Sequence, residues 1–259
     1  MGPFSSLILI FLIKSRLTFA NDTGRLCSSS ACIEEDTYNK MDLPPTKMEK
    51  PVEVNFTLQL MDIFDIDPES YTLHMNMYFR YKWIDNRITL QKNIEAVDQN
   101  FLRHLWTPHI YLYDSSYDPK TSPDDSGAII EKCDINSTCI NFVTEVFIDF
   151  TCWMDFSKFP FDTNVCIFKV GPFSNYADKV VFNTKDSTPP DDYLDKRKIR
   201  HYEIHLEYLE GEDLLSLDSA ITIIFCSDKF FSVAGIKMTL VHRSAKHIWV
   251  YFLKGSVHV

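Results

Sequence analysis

The sequence predicts an all-β fold, namely an antiparallel β-sandwich or barrel. Two observations predict it: several segments alternate apolar and polar residues with a period of two, and polar turns separate these segments. A strand with this alternation buries one face and exposes the other, so several such strands form sheets that cover a core. The 259 residues show no internal repeat and no pattern of a helical domain.

Residues 1–20 are typical of a signal peptide. They contain a short apolar run, Leu7 to Ile13, and end in small residues that suit cleavage after Ala20. Lys14 and Arg16 follow this run instead of preceding it, so an uncleaved anchor is the alternative. Seven apolar residues are, however, too few to span a bilayer.

Sequons and cysteines indicate the secretory pathway. The three N-x-Ser/Thr sequons lie at Asn21, Asn55 and Asn136. The spacing of the seven cysteines suggests three local rings: Cys27 with Cys32, Cys133 with Cys139, and Cys152 with Cys166. Cys226 is left over, and is either a buried free thiol or a partner in a bond between chains.

The chain divides into four parts. After the signal peptide, residues 21–50 form a polar, cysteine-bearing segment, in which a short helix is predicted around Cys32 to Met41. Residues 51–247 follow as the β-sandwich. Its clearest strands place these apolar residues on one face: Val52, Val54, Phe56, Leu58 and Leu60; Leu73, Met75, Met77, Phe79 and Tyr81; Tyr202, Ile204, Leu206 and Tyr208; Ile236, Met238 and Leu240. Residues 248–259 are the truncated start of a transmembrane segment or a tail.

Charge and motifs exclude several classes of function. The formal charge of −10 leaves no basic patch for nucleic acid. No GxSxG, HExxH, P-loop or GxGxxG motif occurs, so we expect neither an enzyme nor a cofactor. His201, Glu203 and His205 have a spacing that could bind a metal ion, but they also fit the solvated face of an amphipathic strand. We favour the solvated face and predict no metal site.

The segment CWMDFSKFPFDTNVC, from Cys152 to Cys166, carries a family resemblance. Two cysteines enclose thirteen residues with FPFD among them, which resembles the signature loop of the Cys-loop ligand-gated ion channels. YFRYKWIDNR, WTPHIYLYD and VGPFS are similar to further segments of these subunits and occur in the same order. The resemblance covers about residues 50–253.

The resemblance implies an extracellular, immunoglobulin-like β-sandwich of about ten strands with a short N-terminal helix. Five such domains, from identical or related subunits, would form a ring. The Cys loop, with Phe159, Pro160, Phe161 and Asp162, would lie at the membrane end and press on a pore domain. The alternative is that Phe159 and Phe161 fold back into the core. The family usually has a cis peptide before the loop proline, and an aromatic residue before proline favours that isomer.

The resemblance also implies a ligand site between neighbouring subunits, where aromatic rings enclose a cationic amine. By position, the family's site residues match Tyr113, Phe173, Phe231 and Phe225 on one subunit, and Tyr78 and Arg80 on the next. Tyr78 lies on the polar face of its strand, which is an unusual place for a core aromatic. The ligand implied is a small amine or amino-acid transmitter, whose carboxylate Arg80 would meet.

The chain also departs from the family pattern. FCSDKFF has a single cysteine where nicotinic ligand-binding subunits have an adjacent pair, and Pro172-Phe173 replaces the usual Ser-Trp. No four-helix pore domain follows. Three interpretations stay open: the ligand-binding domain of a channel subunit, which meets the membrane only through a missing pore domain or partner subunits; a secreted transmitter-binding protein; and an adhesion-type domain without a small ligand. The FPFD tip and the apolar HIWVYFL favour the first.

Overall fold

Strands dominate the structure, a computed structural model that describes residues 24–117, 126–184, 202–209 and 231–242. Within these ranges there are fourteen strands, one short α-helix and one 3-10 turn. The strands are β1 Arg25–Ser28, β2 Ala31–Glu34, β3 Val52–Asp67, β4 Thr72–Ile84, β5 Thr89–Leu90, β6 Ile94–Val97, β7 Ile110–Tyr113, β8 Ser115–Tyr117, β9 Ser126–Asp134, β10 Ser137–Thr151, β11 Thr163–Pro172, β12 Val180–Asn183, β13 Tyr202–Tyr208 and β14 Ala234–His242. Helix α1 spans Gln99–Leu102, and the 3-10 turn spans Lys47–Glu49.

Two large sheets form a sandwich. The first has the order β12-β3-β4-β10-β9-β6, with β8 also paired to β10, and the second has the order β13-β14-β11-β7. Aromatic rings from both sheets meet in the core. Phe168 of the second sheet lies 5.5 Å from Phe150 and 6.4 Å from Phe79 of the first, measured between ring centroids. The predicted all-β sandwich is therefore confirmed.

The predicted alternation decides which faces are buried. All five predicted apolar residues of β3 and all five of β4 are buried, while Glu53 and Arg80 on the opposite faces are exposed. In β13, Leu206 is buried, and Glu203 and His205 are exposed. Full burial of one such apolar side chain contributes about 1.5–3 kcal/mol, so these strands supply much of the driving force for folding.

The N-terminal helix predicted around Cys32 to Met41 is wrong. Strand β2 occupies the start of that segment and pairs with both β1 and β5, forming a small third sheet. Turns follow β2, and Tyr38 then inserts into the core, where its hydroxyl donates a hydrogen bond to Asp85 at 3.1 Å. Because these partners lie about fifty residues away in sequence, local propensity could not reveal them.

The three predicted disulfides are present. The Cα atoms lie 5.3 Å apart in Cys152–Cys166, 5.7 Å in Cys133–Cys139 and 4.1 Å in Cys27–Cys32. The peptide bond between Phe159 and Pro160 is cis, as the resemblance predicts. Cys226 lies outside the described residues.

Strands β11 and β14 connect the two ends of the second sheet. Their pairing extends from Thr163 opposite Val241 to Val170 opposite Ala234. The Cys loop, residues 152–166, joins β10 to β11 at the first of these ends. The β3–β4 turn lies at the same end, because the Cys152 N–H donates a hydrogen bond to the Tyr71 carbonyl at 2.7 Å. We call this end the base.

Candidate ligand-binding site

An aromatic pocket opens at the end of the second sheet opposite the base. It has a volume of about 420 Å³. Its lining residues are Tyr111, Tyr113, Pro172, Phe173, Ser174, Tyr176 and Phe231. Three of the four aromatic residues predicted for this half of the site, Tyr113, Phe173 and Phe231, therefore come together, while Phe225 lies outside the described residues.

Strand β7 supplies the inner wall of the pocket. Tyr111 and Tyr113 are two residues apart on the strand and so share a face, with ring centroids 4.9 Å apart in an edge-to-face arrangement. On β11, a Cβ at Gly171 would lie only 3.2 Å from the ring and hydroxyl of Tyr113, so glycine provides the space for this phenol. The pKa of Tyr113 is raised to about 12, mainly by burial and to a smaller extent by the neighbouring Tyr111. Tyr113 therefore remains a neutral hydrogen-bond donor at physiological pH.

Phe173 forms the outer wall. It follows directly on β11, and its backbone N–H donates a hydrogen bond to the His109 carbonyl at 2.8 Å, which extends the pairing of β11 with β7. Its ring is 65% exposed and lies 6.1 Å from the ring of Tyr111. A large apolar ring that stays exposed beside other rings is available to a ligand.

Phe231 and Tyr176 close the third side. Their ring centroids lie 4.8 Å apart. Ser232, the next residue, fixes this corner, because its hydroxyl accepts a hydrogen bond from the Phe182 N–H at 2.9 Å and donates one to the Phe182 carbonyl at 3.4 Å. The start of β14 is thereby held to β12 of the other sheet.

No charged side chain lines the pocket among the described residues. The lining offers aromatic faces and edges, tyrosine hydroxyls and the Ser174 hydroxyl. Aromatic faces attract cations, and the attraction grows when water is excluded. The pocket therefore suits an organic cation with a neutral polar group better than an anion.

Tyr78 and Arg80 lie elsewhere, on the outward face of β4 in the first sheet. Neither belongs to the pocket lining. The Tyr78 hydroxyl donates a hydrogen bond to Glu145 of β10 at 3.3 Å, and Asn76 donates one to the same carboxylate at 2.6 Å. This outward face thus presents a phenol, a guanidinium and a carboxylate close together.

The tip of the Cys loop is exposed. Phe159 and Phe161 are 52% and 64% exposed, which excludes the alternative that they fold back into the core. Pro160 and Asp162 are buried. The Asp162 carboxylate lies 2.8 Å from Nδ1 of His242 at the end of β14, and the ring of Phe159 packs against that imidazole at 4.9 Å.

Some site residues escaped the sequence analysis. Tyr111 had a usable signal, because the period of two along β7 places it beside Tyr113. Tyr176 had none, since it reaches the pocket through an irregular turn. Glu145 lies beside Tyr78 because β10 pairs with β4, and the sequence does not show this pairing.

The predicted glycosylation sites differ in their environment. Asn136 is exposed at the turn between β9 and β10, and Asn55 is half-buried within β3. Asn21 and His201 lie outside the described residues. Within the described ranges, no helix has the length and apolarity of a membrane span.

A two-sheet sandwich with a disulfide loop at one end and an aromatic pocket at the other defines a small-molecule receptor domain. The family model for the neurotransmitter-gated ion-channel ligand binding domain matches residues 31–217. The chain belongs to this family. Its members are channel receptors and not enzymes.

Curated relatives include subunits for two transmitters. The acetylcholine receptor subunit alpha-type acr-15 of Caenorhabditis elegans is 28% identical over 157 residues, which cover 58% of this chain and 31% of the relative. The neuronal acetylcholine receptor subunit eat-2 of the same organism is 24% identical over 205 residues, which cover 77% of this chain and 40% of the relative. The gamma-aminobutyric acid receptor subunit pi of Rattus norvegicus is 26% identical over 130 residues, which cover 50% of this chain and 29% of the relative. The chain thus spans well under half the length of these relatives.

Proposed function

We propose that this chain is the extracellular transmitter-binding domain of a neurotransmitter-gated channel subunit. It binds a small amine or amino-acid transmitter between subunits and passes the signal through the Cys loop to a pore. The observation that carries this proposal is the cluster of five aromatic rings in the pocket. Among the described residues, no charged side chain lines this pocket. Such a pocket provides cation–π attraction without a competing fixed cation.

The second wall of the site comes from a neighbouring subunit. Tyr78 and Arg80 lie on a different sheet from the pocket, so one chain cannot place them against the same ligand. A head-to-tail ring brings the pocket of one copy against the β4 face of the next, as in closed assemblies with heterologous interfaces. The assembly is a pentamer of identical or related subunits.

Strands β11 and β14 provide the route from ligand to Cys loop. Phe173 follows β11 at the pocket, and the disulfide residue Cys166 lies near its other end. Phe231 precedes β14, which ends at His242 beside the Cys loop. A strand of ten residues spans roughly 30 Å. Movement of the pocket wall therefore reaches the loop through two hydrogen-bonded strands.

A secreted transmitter-binding protein could use the same pocket without a pore. The exposed rings of Phe159 and Phe161 favour the channel subunit, because a protein with no partner at its base gains nothing from them. An adhesion-type domain without a small ligand does not explain the pocket.

Replacement of Phe173 tests the site. A quaternary amine such as choline should bind two- to thirtyfold more weakly to Phe173→Ala, because a cation–π contact is worth about 0.5–2 kcal/mol. Phe173→Trp should bind it more tightly, since indole attracts cations best. Equilibrium binding of the labelled amine to the assembled protein measures both effects.

The matched control is Phe161→Ala, because Phe161 is 64% exposed, close to the 65% of Phe173, but lies at the base. It should leave the affinity for the amine unchanged. Arg80→Ala should weaken an amino-acid transmitter and leave choline nearly unaffected, since choline has no carboxylate. Equal losses in Phe173→Ala and Phe161→Ala would exclude the aromatic pocket as the site.

A further inference from the structure

A glycosylation sequon lies on the outward face of the first sheet. Asn55 of β3 is directly opposite Lys82 of β4, and Thr57 is directly opposite Arg80. Residues that are directly opposite in an antiparallel pair point to the same side of the sheet, so Asn55 and Thr57 share the outward face with Arg80. Phe56, between them, is buried in the core. The two residues that define the sequon therefore point outward together.

The surroundings of Asn55 leave room for a modification. Asn55 is half-buried and keeps part of its surface in solvent. Lys82 does not fold over it, because its ammonium donates a hydrogen bond to Glu131 of β9 at 2.8 Å. In the order β3-β4-β10-β9, this partner lies on the side of β4 away from β3, so Lys82 leans away from Asn55. A bulky group on Asn55 therefore extends into solvent without displacing a core residue.

The sequon lies beside the second wall of the proposed ligand site. Arg80 is a diagonal neighbour of Asn55, at roughly 7–8 Å between Cα atoms. Tyr78 lies further along β4, roughly 13 Å from the row of Asn55 and Lys82. An N-linked oligosaccharide contains many sugar units and reaches across both distances. A glycan on Asn55 therefore covers this part of the outward face.

We infer that Asn55 carries an N-linked glycan, and that this glycan prevents a second subunit from docking on the outward face of the first sheet. The inference rests on the proposed pentamer, in which that face receives a neighbouring subunit. Subunit interfaces pack at their centre about as densely as protein interiors, which leaves no room for an oligosaccharide. Chains with an unmodified Asn55 keep the face free and assemble, whereas modified chains stay monomeric.

The modification is a group transfer whose donor is an oligosaccharide joined to a lipid pyrophosphate. The side-chain amide nitrogen of Asn55 forms a bond to the anomeric carbon of the first sugar, and the bond from that carbon to the pyrophosphate breaks. The amide nitrogen gives up one proton, which the leaving lipid pyrophosphate takes up. The transfer acts on the chain before β3 pairs with its neighbours, so the position of Asn55 within a strand does not prevent it.

Fractionation of the full chain, secreted from cells that attach N-linked glycans, tests the inference. Size exclusion separates monomer from pentamer, and mass spectrometry of the Asn55 peptide measures the modified fraction in each. We expect the monomer to carry the Asn55 glycan and the pentamer to lack it. Asn136, exposed in the β9–β10 turn, is the internal control, and its modified fraction should be equal in the two pools.

Variants of the sequon separate the glycan from the asparagine side chain. Thr57→Ala destroys the sequon and keeps Asn55, and Asn55→Gln removes the acceptor. Both should shift the monomer to the pentamer, an increase in mass of about fivefold. Thr57→Ser keeps the sequon and should match the wild type, as should Asn136→Gln. Enzymatic removal of the glycan from the folded wild-type protein should produce the same shift, without any change during folding.

Two results would overturn the inference and leave the proposed function standing. One is a secreted pentamer in a preparation whose Asn55 is unmodified throughout, in monomer as well as pentamer. The other is a pentamer that carries the Asn55 glycan as often as the monomer does. If Thr57→Ala, Asn55→Gln and the deglycosylated wild type all remain monomeric, the glycan is not the barrier, and the proposed pentamer fails together with the inference.

Discussion

Asp162 ties the Cys loop to the last strand of the sandwich. Its carboxylate contacts Nδ1 of His242 at 2.8 Å and accepts a hydrogen bond from Asn164 at 3.0 Å. Its backbone carbonyl also accepts a hydrogen bond from the His242 N–H at 3.0 Å. The side chains of Asp162 and His242 are 1% and 3% exposed. Because Phe159 packs on the same imidazole, this buried pair also sets the position of the exposed tip.

Replacing Asp162 with alanine should be strongly destabilising. Removing one partner of a buried hydrogen bond costs about 1–3 kcal/mol, because the polar group left behind stays buried without that bond. We expect Asp162→Ala to lower the free energy of unfolding by about this amount in chemical denaturation. Lys158→Ala, which removes an exposed side chain of the same loop, should cost about 0.5 kcal/mol or less. Similar losses in the two variants would show that the pair does not hold the loop.

The disulfides act on the stability of whole elements. In the chain-entropy model, closing the Cys loop, with its sequence separation of 14, stabilises the fold by roughly 3 kcal/mol. The N-terminal hairpin, with a separation of 5, gains roughly 2 kcal/mol. Denaturation of Cys152→Ala/Cys166→Ala should therefore show the larger loss than Cys27→Ala/Cys32→Ala. The reverse order would mean that the disulfide of the N-terminal hairpin, and not that of the Cys loop, stabilises the sandwich more.

The strands were predictable where alternation was long. In β3 and β4, five apolar residues in every second position fix both the strand and its buried face, because a shift by one residue would expose all of them. The short hairpin of β1 and β2 has too few residues for such a pattern. Its conformation depends on pairing with β5 and on Tyr38 bonding to Asp85, which are contacts between distant segments.

The site was predictable only in part, for a similar reason. Tyr113 and Phe173 follow from the resemblance, because both match by position the site residues of the family. Tyr176 stands next to the VGPFS segment and carries no pattern of its own. Its place in the pocket depends on its contact with Phe231.

At the scale of the whole molecule, the two surfaces that we propose as half-sites face different ways. The pocket belongs to the second sheet and the Tyr78 face to the first. Under the proposed function, a complete site would require a second copy or a related subunit, and ligand binding would depend on assembly. A strictly monomeric chain would keep one wall and lose the enclosure that makes cation–π attraction strong.

Complementation between two variants tests the central claim, a site shared between subunits. Phe173→Ala/Tyr113→Ala lacks the pocket wall, and Tyr78→Ala lacks the opposite wall, so each assembled alone should bind labelled amine weakly. Co-assembled in equal amounts, they should regain full affinity at about a quarter of the sites, because random ring assembly places two intact walls together that often. If the mixture binds no better than the two variants alone, the site does not lie between subunits.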